Sequence, residues 1–286
     1  MSNSVLYDVA GPRTRRRVWI GSAVATLAVA VLLTLAGYRL YVNGQFTADK
    51  WAPFVTKPAL YTFMLEGVLY TLQAAAYALA FALVLGMLLA VGRLSGLPVI
   101  GQLATAIVEF FRGVPLLLLI FFFYLGVPAA LGVSLAPLWS VVLGLTLYNG
   151  AVIAEIIRAG VLSLPKGQTE AAYAVGLRRG QVLRLVLLPQ AIRYMLPALI
   201  SQLVVLLKDT SLGFIISYQE LLAATKDASQ LLRNPLQLYL FAALIYIVLN
   251  SALSALAHYV ERRQRRRFGA RAAVPGRATQ EVAKAD

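Results

Sequence analysis

The chain has 286 residues, of which 60% are hydrophobic and 13% are charged, and it contains no cysteine. Soluble domains average about 45–50% apolar and 25% charged residues, so this composition excludes an ordinary soluble protein. The lack of cysteine excludes a disulfide framework, a thiolate nucleophile and a cysteine-based metal site. The single histidine, His258, has no second histidine or carboxylate cluster beside it in the sequence, so it is predicted to be interfacial and no metal site is expected.

The hydrophobic residues are grouped in six runs, and each run reaches the roughly 20 residues that a bilayer-spanning helix needs. We therefore predict an all-α polytopic membrane protein with about six transmembrane helices. The predicted spans are 18–42, 60–91, 104–127, 138–161, 191–216 and 236–260. The first is too long for the hydrophobic core of a signal peptide and no convincing cleavage site follows it, so we expect it to be retained as an extra N-terminal helix.

The connecting segments are polar or rich in Gly and Pro. Residues 1–17 and 261–286 are basic and are predicted to be disordered cytoplasmic tails. Residues 43–59 and 217–235 are predicted external loops, and 93–101 is a predicted inner turn. With six spans both termini lie in the cytoplasm, and nineteen of the twenty-six Lys and Arg residues then fall on that side. The formal charge of +14 is therefore attributed to the positive-inside rule and to anionic lipid, and not to nucleic-acid binding.

A polar, Ala- and Gly-rich segment, residues 162–190, separates the fourth span from the fifth and is called the EAA segment below. Its distinctive residues are Glu170, Ala171, Ala172, Gly176, Val186, Leu188 and Pro189. Good helix formers predict a first helix over 168–175, which Gly176 can end in a left-handed conformation. A second helix is predicted over 177–188, with Pro189 breaking it before the fifth span.

The spacing of these residues resembles the cytoplasmic loop of the membrane subunits of ABC-type importers. In that family the loop is the docking site of an ATPase subunit, so the resemblance implies that Glu170, Ala171, Ala172, Gly176 and Pro189 couple this chain to an ATPase. Ala172 and Gly176, four positions apart, are expected to form a shallow face that a partner can approach closely. The one departure is Val186, where isoleucine is usual.

Further segments look like the polar amino acid branch of these permeases. They are 111–115, 148–150, 154–160 and 208–212, and the resemblance covers roughly residues 60–260. Within that branch the chain is similar to permeases of glutamate importers from high-GC Gram-positive bacteria.

The resemblance implies a subunit of the cytoplasmic membrane that forms half of a two-permease pore. Two ATPase subunits would bind ATP-Mg on the inside, an external substrate-binding protein would deliver the cargo, and this chain would bind no cofactor itself. The expected function is therefore transport of a polar amino acid, with glutamate favoured, and no enzymatic activity in this chain.

Charged residues inside a span cost roughly 2.5–3.5 kcal/mol each on insertion scales, so they are candidates for functional sites. Glu155 and Arg158 are placed to pair along one helix face, as are Glu109 and Arg112. Arg112 and Arg158 either form a gate or interface or simply extend their charges to the membrane surface. Glu155 lies deeper, and with Asn149 it could hold the ammonium group of an amino acid in transit.

Four further polar residues occur within predicted spans. Thr71 and Gln73, midway along the second span, either face a cavity or bond to a neighbouring helix. Lys208 and Asp209 lie ~24 Å into the fifth span and hence near the outer boundary. There they would form a gate, a contact with the binding protein, or an interfacial cap pair.

Two other classes of function remain as alternatives. An ion-coupled secondary transporter or channel would act without an ATPase, but it leaves the EAA spacing unexplained. A membrane enzyme would need a catalytic cluster, and the sequence contains no GxxxxGK[ST] phosphate loop, no HExxH and no convincing Ser-His pair.

Overall fold

The computed structural model describes the backbone of residues 11–272 and the side chains of residues 11–257 and 259. Within this range all regular secondary structure is helical, as predicted. In chain order the α-helices are α1 (Pro12–Val42), α2 (Ala48–Trp51), α3 (Pro53–Thr56), α4 (Ala59–Leu94), α5 (Pro98–Gly113), α6 (Leu116–Phe121), α7 (Val127–Leu131), α8 (Pro137–Leu162), α9 (Lys166–Ala174), α10 (Arg179–Gln181), α11 (Leu188–Asp209), α12 (Leu221–Leu232) and α13 (Pro235–Ala272). Two π-helical segments, Phe122–Gly126 and Val182–Leu187, join α6 to α7 and α10 to α11, and a 3-10 helix, Thr210–Ile216, follows α11.

The chain divides into two compact units, Met1–Pro58 and Ala59–Asp286. In the first unit, α1 begins at Pro12, where a proline is favoured because its missing N–H would have no partner in the first helical turn. The helix therefore includes four arginines of the segment that was predicted to be a disordered tail as far as residue 17. Residues 1–10 of that predicted tail lie outside the described residues.

Five described helical stretches are long and apolar enough to cross a membrane: Pro12–Val42, Ala59–Leu94, Pro137–Leu162, Arg179–Ile216 and Pro235–Ala257. A sixth span is present if the bent pair Pro98–Gly113 and Leu116–Leu131 counts as one. The number of spans thus agrees with the sequence-based prediction.

The third span differs from its predicted form as one helix over 104–127. Its two halves meet at 100°, because Pro115 disfavours a helical conformation at the residue before it. Val114 is accordingly extended, with φ −83° and ψ 129°. The first half, α5, already begins at Pro98, so the predicted inner turn over 93–101 shortens to residues 95–97.

Helices α4 and α8 form the centre of the second unit, and small residues allow their close approach. The buried face of α4 is a row of small side chains spaced three or four positions apart, including Thr71, Ala78, Ala82 and Gly86. A Cβ atom at Gly86 would lie 2.6 Å from Cγ2 of Ile153 on α8. Such small-residue interfaces favour helix association in lipid, where van der Waals packing and not the hydrophobic effect holds helices together.

The last helix, α13, continues past the predicted membrane boundary at residue 260 and ends at Ala272. Residues 261–272 of the predicted disordered tail are therefore helical. The rest of that predicted tail, residues 273–286, and the side chain of His258 lie outside the described residues.

Candidate functional site

The first helix of the EAA segment forms and ends by local capping. Pro165 precedes α9, and Gly176 adopts the predicted left-handed conformation with φ +81°. The N–H of Gly176 bonds to the carbonyl of Tyr173 at 2.9 Å, and the N–H of Leu177 bonds to that of Ala172 at 3.2 Å. This pair of bonds is a Schellman motif, which satisfies carbonyls that a helix end otherwise leaves unpaired.

The two faces of α9 differ in exposure. Glu170 and Ala171 are exposed, whereas Ala172 is buried and α9 packs against the π-helical segment Val182–Leu187. The predicted shared face of Ala172 and Gly176 is therefore wrong, because α9 ends at Ala174 and the chain has turned away before Gly176. The residues available to a partner are those of the Glu170 side.

The second half of the EAA segment is continuous with the fifth span. Pro189 was predicted to break a helix before that span, but it lies in the first turn of α11, and helical structure extends from Arg179 to Ile216. A π-helical segment immediately precedes α11, and its wider turn provides room where the proline ring would otherwise clash with the preceding turn. The second half of the EAA segment and the fifth span therefore form one helical stretch.

Five charged residues form a cluster where α4, α5 and α8 meet. Glu155 receives Arg158 Nη2 at 2.6 Å on one oxygen, and Arg158 Nε at 3.2 Å and Arg93 Nη1 at 2.5 Å on the other. Glu109 lies 3.7 Å from Arg112 and 3.8 Å from Arg93. The two predicted pairs are present, but Arg93 was missed as their link, since it is 62 positions from Glu155 in the sequence.

Both carboxylate oxygens of Glu155 thus already accept guanidinium donors. The side chain of Arg93 is only 10% exposed, so Glu155 neutralises a cation with little access to solvent. In this conformation the geometry gives Glu155 a structural role, and the predicted contact with a substrate ammonium stays a prediction.

Asn149 is fully buried between α8 and α11. Its Oδ1 accepts a hydrogen bond from Gln202 Nε2 at 2.7 Å, and its Nδ2 donates to the carbonyl of Leu145 at 2.9 Å. Gln202 was not identified from the sequence, although a polar residue inside a span is itself a signal of helix–helix bonding.

Thr71 is also fully buried, and its hydroxyl joins two helices. It donates to the carbonyl of Gly67 at 2.9 Å and accepts the N–H of Leu221, the first residue of α12, at 3.1 Å. Of the two predicted alternatives the structure displays the bond to a neighbouring helix. Gln73, on a different face of α4, is half-buried. Whether any of these residues lines a path stays a prediction.

Glu220, also missed from the sequence, caps α12 beside Thr71. It is fully buried, and it accepts the N–H groups of Leu222 and Ala223 and the hydroxyl of Tyr246, each at 2.8 Å. Burial raises the pKa of Glu220 above its ordinary value of 4.5, while these three hydrogen bonds act in the opposite direction. Glu220 thus connects α12 to α13.

A cleft of about 420 Å³ lies between α11, α12 and α13 and contains Lys208. Its polar lining comprises Lys208, Ser211, Tyr246, Asn250 and Ser251. Within the described part of the chain, Asn250 Oδ1 is buried and has no hydrogen-bond donor. Asp209 is half-buried and does not line this cleft, so the predicted Lys208–Asp209 pair is divided between two environments.

A larger cleft, of about 640 Å³, opens where the N-terminal ends of α4 and α8 meet the segment before α12. Its lining includes the carboxylates of Glu66 and Asp227 together with the polar side chains of Tyr70 and Gln219. It differs from the Lys208 cleft in having acidic rather than basic side chains among its lining.

Residues 82–266 match the model of a family described as "Binding-protein-dependent transport system inner membrane component". The chain is 44% identical over 229 residues to the glutamate transport system permease protein GluD of Corynebacterium glutamicum, covering 78% of this chain and 82% of the relative. It is 34% identical over 220 residues to the glutamate/aspartate import permease protein GltK of Escherichia coli O157:H7, covering 74% of this chain and 97% of the relative.

The fold is similar to a crystal structure of an amino acid ABC transporter with histidines. The TM-score is 0.67 at 30% identity, with 71% of this chain and 95% of that chain covered. These comparisons lend no support to the alternative of a secondary transporter or channel. Because the family model and the curated relatives match across the EAA segment and the packed spans, the chain belongs to the family of binding-protein-dependent transport system inner membrane components.

Proposed function

We propose that this chain is the permease subunit of an ATP-driven importer that carries glutamate or a closely related amino acid into the cell. The observation that carries the proposal is the EAA segment, whose first helix, α9, exposes Glu170 and whose second half continues without a break into the fifth span. Glutamate is preferred because the relatives GluD and GltK are named as glutamate and glutamate/aspartate permeases.

In this proposal an ATPase subunit, with ATP-Mg bound, docks on the cytoplasmic face of the EAA segment. Glu170 and Ala171 contact the ATPase, and the buried Ala172 holds α9 against the π-helical segment behind it. Closure of two ATPase subunits then moves α9, and the continuous helix through Pro189 carries that movement to the outer end of α11. The chain acts as a two-state element that nucleotide biases from one side and the loaded binding protein from the other.

The assembly contains a second permease subunit and an external binding protein, and both termini of this chain lie in the cytoplasm. The distribution of arginine and lysine supports this orientation. The subunit composition of the purified complex would show whether the second permease is another copy of this chain or a different chain.

Docking at Glu170 is tested by reversing its charge. Glu170→Lys should lower the amount of ATPase that co-purifies, with an unchanged amount of permease in the membrane. Glu66→Lys is the matched control, because it reverses an exposed glutamate on α4, outside the EAA segment. An equal yield of ATPase from both variants would contradict docking on this face.

We propose further that the Lys208 cleft receives the amino acid during transport. Lys208 supplies a positive charge for a carboxylate, and the hydroxyl groups of Ser211 and Ser251 supply acceptors for an ammonium group. Its volume of about 420 Å³ falls within the roughly 300–1,000 Å³ of small-molecule sites.

The other residues that were predicted to line the substrate path have different roles in this proposal. Asn149 and Thr71 hold helices in register behind the path, and Glu155 balances the charge of Arg158 near its inner end. Gln73, which is partly exposed, keeps its predicted place along the path.

Lys208→Met should raise the KM for uptake, whereas Lys226→Met, a substitution of an exposed lysine on α12 outside the cleft, should leave it unchanged. Equal KM values in the two variants would remove the Lys208 cleft from the path. Equilibrium binding of a panel of amino acids to the cognate binding protein tests the choice of glutamate independently.

A further inference from the structure

We infer that Arg179 is a positioning residue that ties the EAA segment to the turn between α4 and α5, and that this contact passes part of the ATPase-driven movement to α4. The inference rests on the proposed function, because it requires an ATPase acting on the EAA segment.

The guanidinium of Arg179 lies directly against the backbone of Gly96. A Cβ atom built at Gly96 would be 2.2 Å from both Cζ and Nη1 of Arg179 and 2.6 Å from its Nε. The same guanidinium donates from Nη2 to the carbonyl of Leu94 at 3.5 Å, a long hydrogen bond. The contact is therefore mainly one of packing on a surface that only glycine leaves open.

The turn that receives Arg179 is ordered by its own hydrogen bonds. Ser95 Oγ donates to the carbonyl of Gly92 at 2.8 Å and accepts the N–H of Leu97 at 3.2 Å. Gly96 has φ +78°, a left-handed conformation that strains residues with a Cβ atom. Glycine at position 96 thus serves both the turn conformation and the approach of Arg179.

The positions of both partners suit them to transmit movement. Arg179 is the first residue of α10, whose start is fixed by a bond from the N–H of Arg178 to Gln181 Oε1 at 2.9 Å. On the other side, Gly96 follows α4 by two residues, and the nearby Arg93 pairs with Glu155 on α8. A displacement at Arg179 thus reaches α11 along its own helix and reaches α4 and α8 through the turn.

A second contact joins the same two regions by apolar packing. Leu94 packs against a buried cluster of Val161, Leu164, Leu183 and Ala191. That cluster holds the inner ends of the spans together whether or not Arg179 is present. Removal of the arginine should therefore loosen the link to the turn without unfolding the bundle.

The test is the number of amino acid molecules taken up per ATP hydrolysed by the reconstituted complex. Arg179→Ala should leave ATPase co-purification unchanged and lower this ratio between about 2-fold and 30-fold, the range of effects seen for residues that link coupled sites. Lys226→Ala, which removes an exposed cation on α12 outside the EAA segment, should leave the ratio unchanged. Arg179→Lys keeps the charge but lacks the planar fork, so it should lower the ratio as well.

Gly96→Ala provides an independent route to the same contact, because its methyl group displaces the guanidinium. Gly132→Ala is its matched control: Gly132 has φ +68° and nothing lies within 4 Å of its Cβ position, so only backbone strain is added. In the Arg179→Ala variant the guanidinium is already absent. Adding Gly96→Ala to that variant should therefore lower the uptake ratio only as much as adding Gly132→Ala does.

An unchanged ratio in Arg179→Ala, or losses that simply add in the double variant, would overturn the inference while leaving the proposed function intact. Failure of the wild-type complex to retain an ATPase would instead overturn the proposed function itself. The two failures are distinguishable in the same preparation.

Discussion

Removal of the Glu155 carboxylate should destabilise the protein far more than removal of the neighbouring Glu109 carboxylate. Both glutamates lie beside Arg93, but their exposure differs. The side chain of Glu155 is 25% exposed and bonds two arginines, whereas that of Glu109 is 58% exposed and lies 3.8 Å from Arg93. The comparison therefore tests whether burial decides how much an ion pair contributes to the free energy of unfolding.

The expected magnitude follows from what each variant leaves behind. Glu155→Ala leaves the nearly buried Arg93 without its close partner, and breaking a buried pair in this way costs about 3–5 kcal/mol. Because Glu109 remains nearby and Arg158 can rehydrate, we expect the lower end, about 3 kcal/mol. Glu109→Ala breaks only exposed contacts, which contribute about 0–1 kcal/mol.

Thermal unfolding of the purified protein in detergent measures the difference. At about 2–4 °C per kcal/mol, Glu155→Ala should lower the Tm by about 6–12 °C and Glu109→Ala by no more than about 4 °C. Adding Arg93→Met to Glu155→Ala should restore part of the loss, because it removes the unpaired cation. Equal shifts for the two glutamates would refute the argument from burial. Uptake by the folded Glu155→Ala protein tests separately whether this carboxylate contacts the substrate.

Gly86→Ala should lower the free energy of unfolding by about 1–3 kcal/mol, because its methyl group would overpack the α4–α8 interface. Gly37→Ala, which has no atom within 4 Å of its Cβ position, should cause no such loss. Denaturant titration of the two variants measures the difference. Gln202→Ala should lower the free energy of unfolding by about 1 kcal/mol, because it leaves Asn149 Oδ1 buried and unpaired. An unchanged free energy of unfolding in the same titration would contradict a stabilising role for this bond. Glu220 has a raised pKa in the folded state, so its contribution to stability is complete below about pH 4.5 and is lost as the pH rises through the folded-state pKa. Glu220→Gln should remove that part of the pH dependence of Tm, and an unchanged profile would show that Glu220 does not titrate in this range.

Several features of this protein follow from local sequence patterns. The lengths of the hydrophobic runs predict the number of spans, since a bilayer of given thickness needs a helix of given length. The left-handed conformation of Gly176 was expected from the good helix formers that precede it. The break at Val114 and Pro115 also has a local cause, since a proline restricts the residue before it. It was missed because the span was assigned from hydrophobicity, which does not register the proline.

The tertiary structure alone decides which side of α9 faces inward and which distant charges meet. Ala171 and Ala172 are indistinguishable in sequence, yet one is exposed and the other is buried because α9 packs on a helix formed later in the chain. Arg93 meets Glu155 across 62 positions, and Arg179 meets the carbonyl of Leu94 across 85. Periodicity and motif spacing describe neighbours along one helix, whereas these contacts depend on the distance and angle at which separate helices cross. For Arg93 and Glu155, the small side chains of the α4–α8 interface allow the close approach of the two helices.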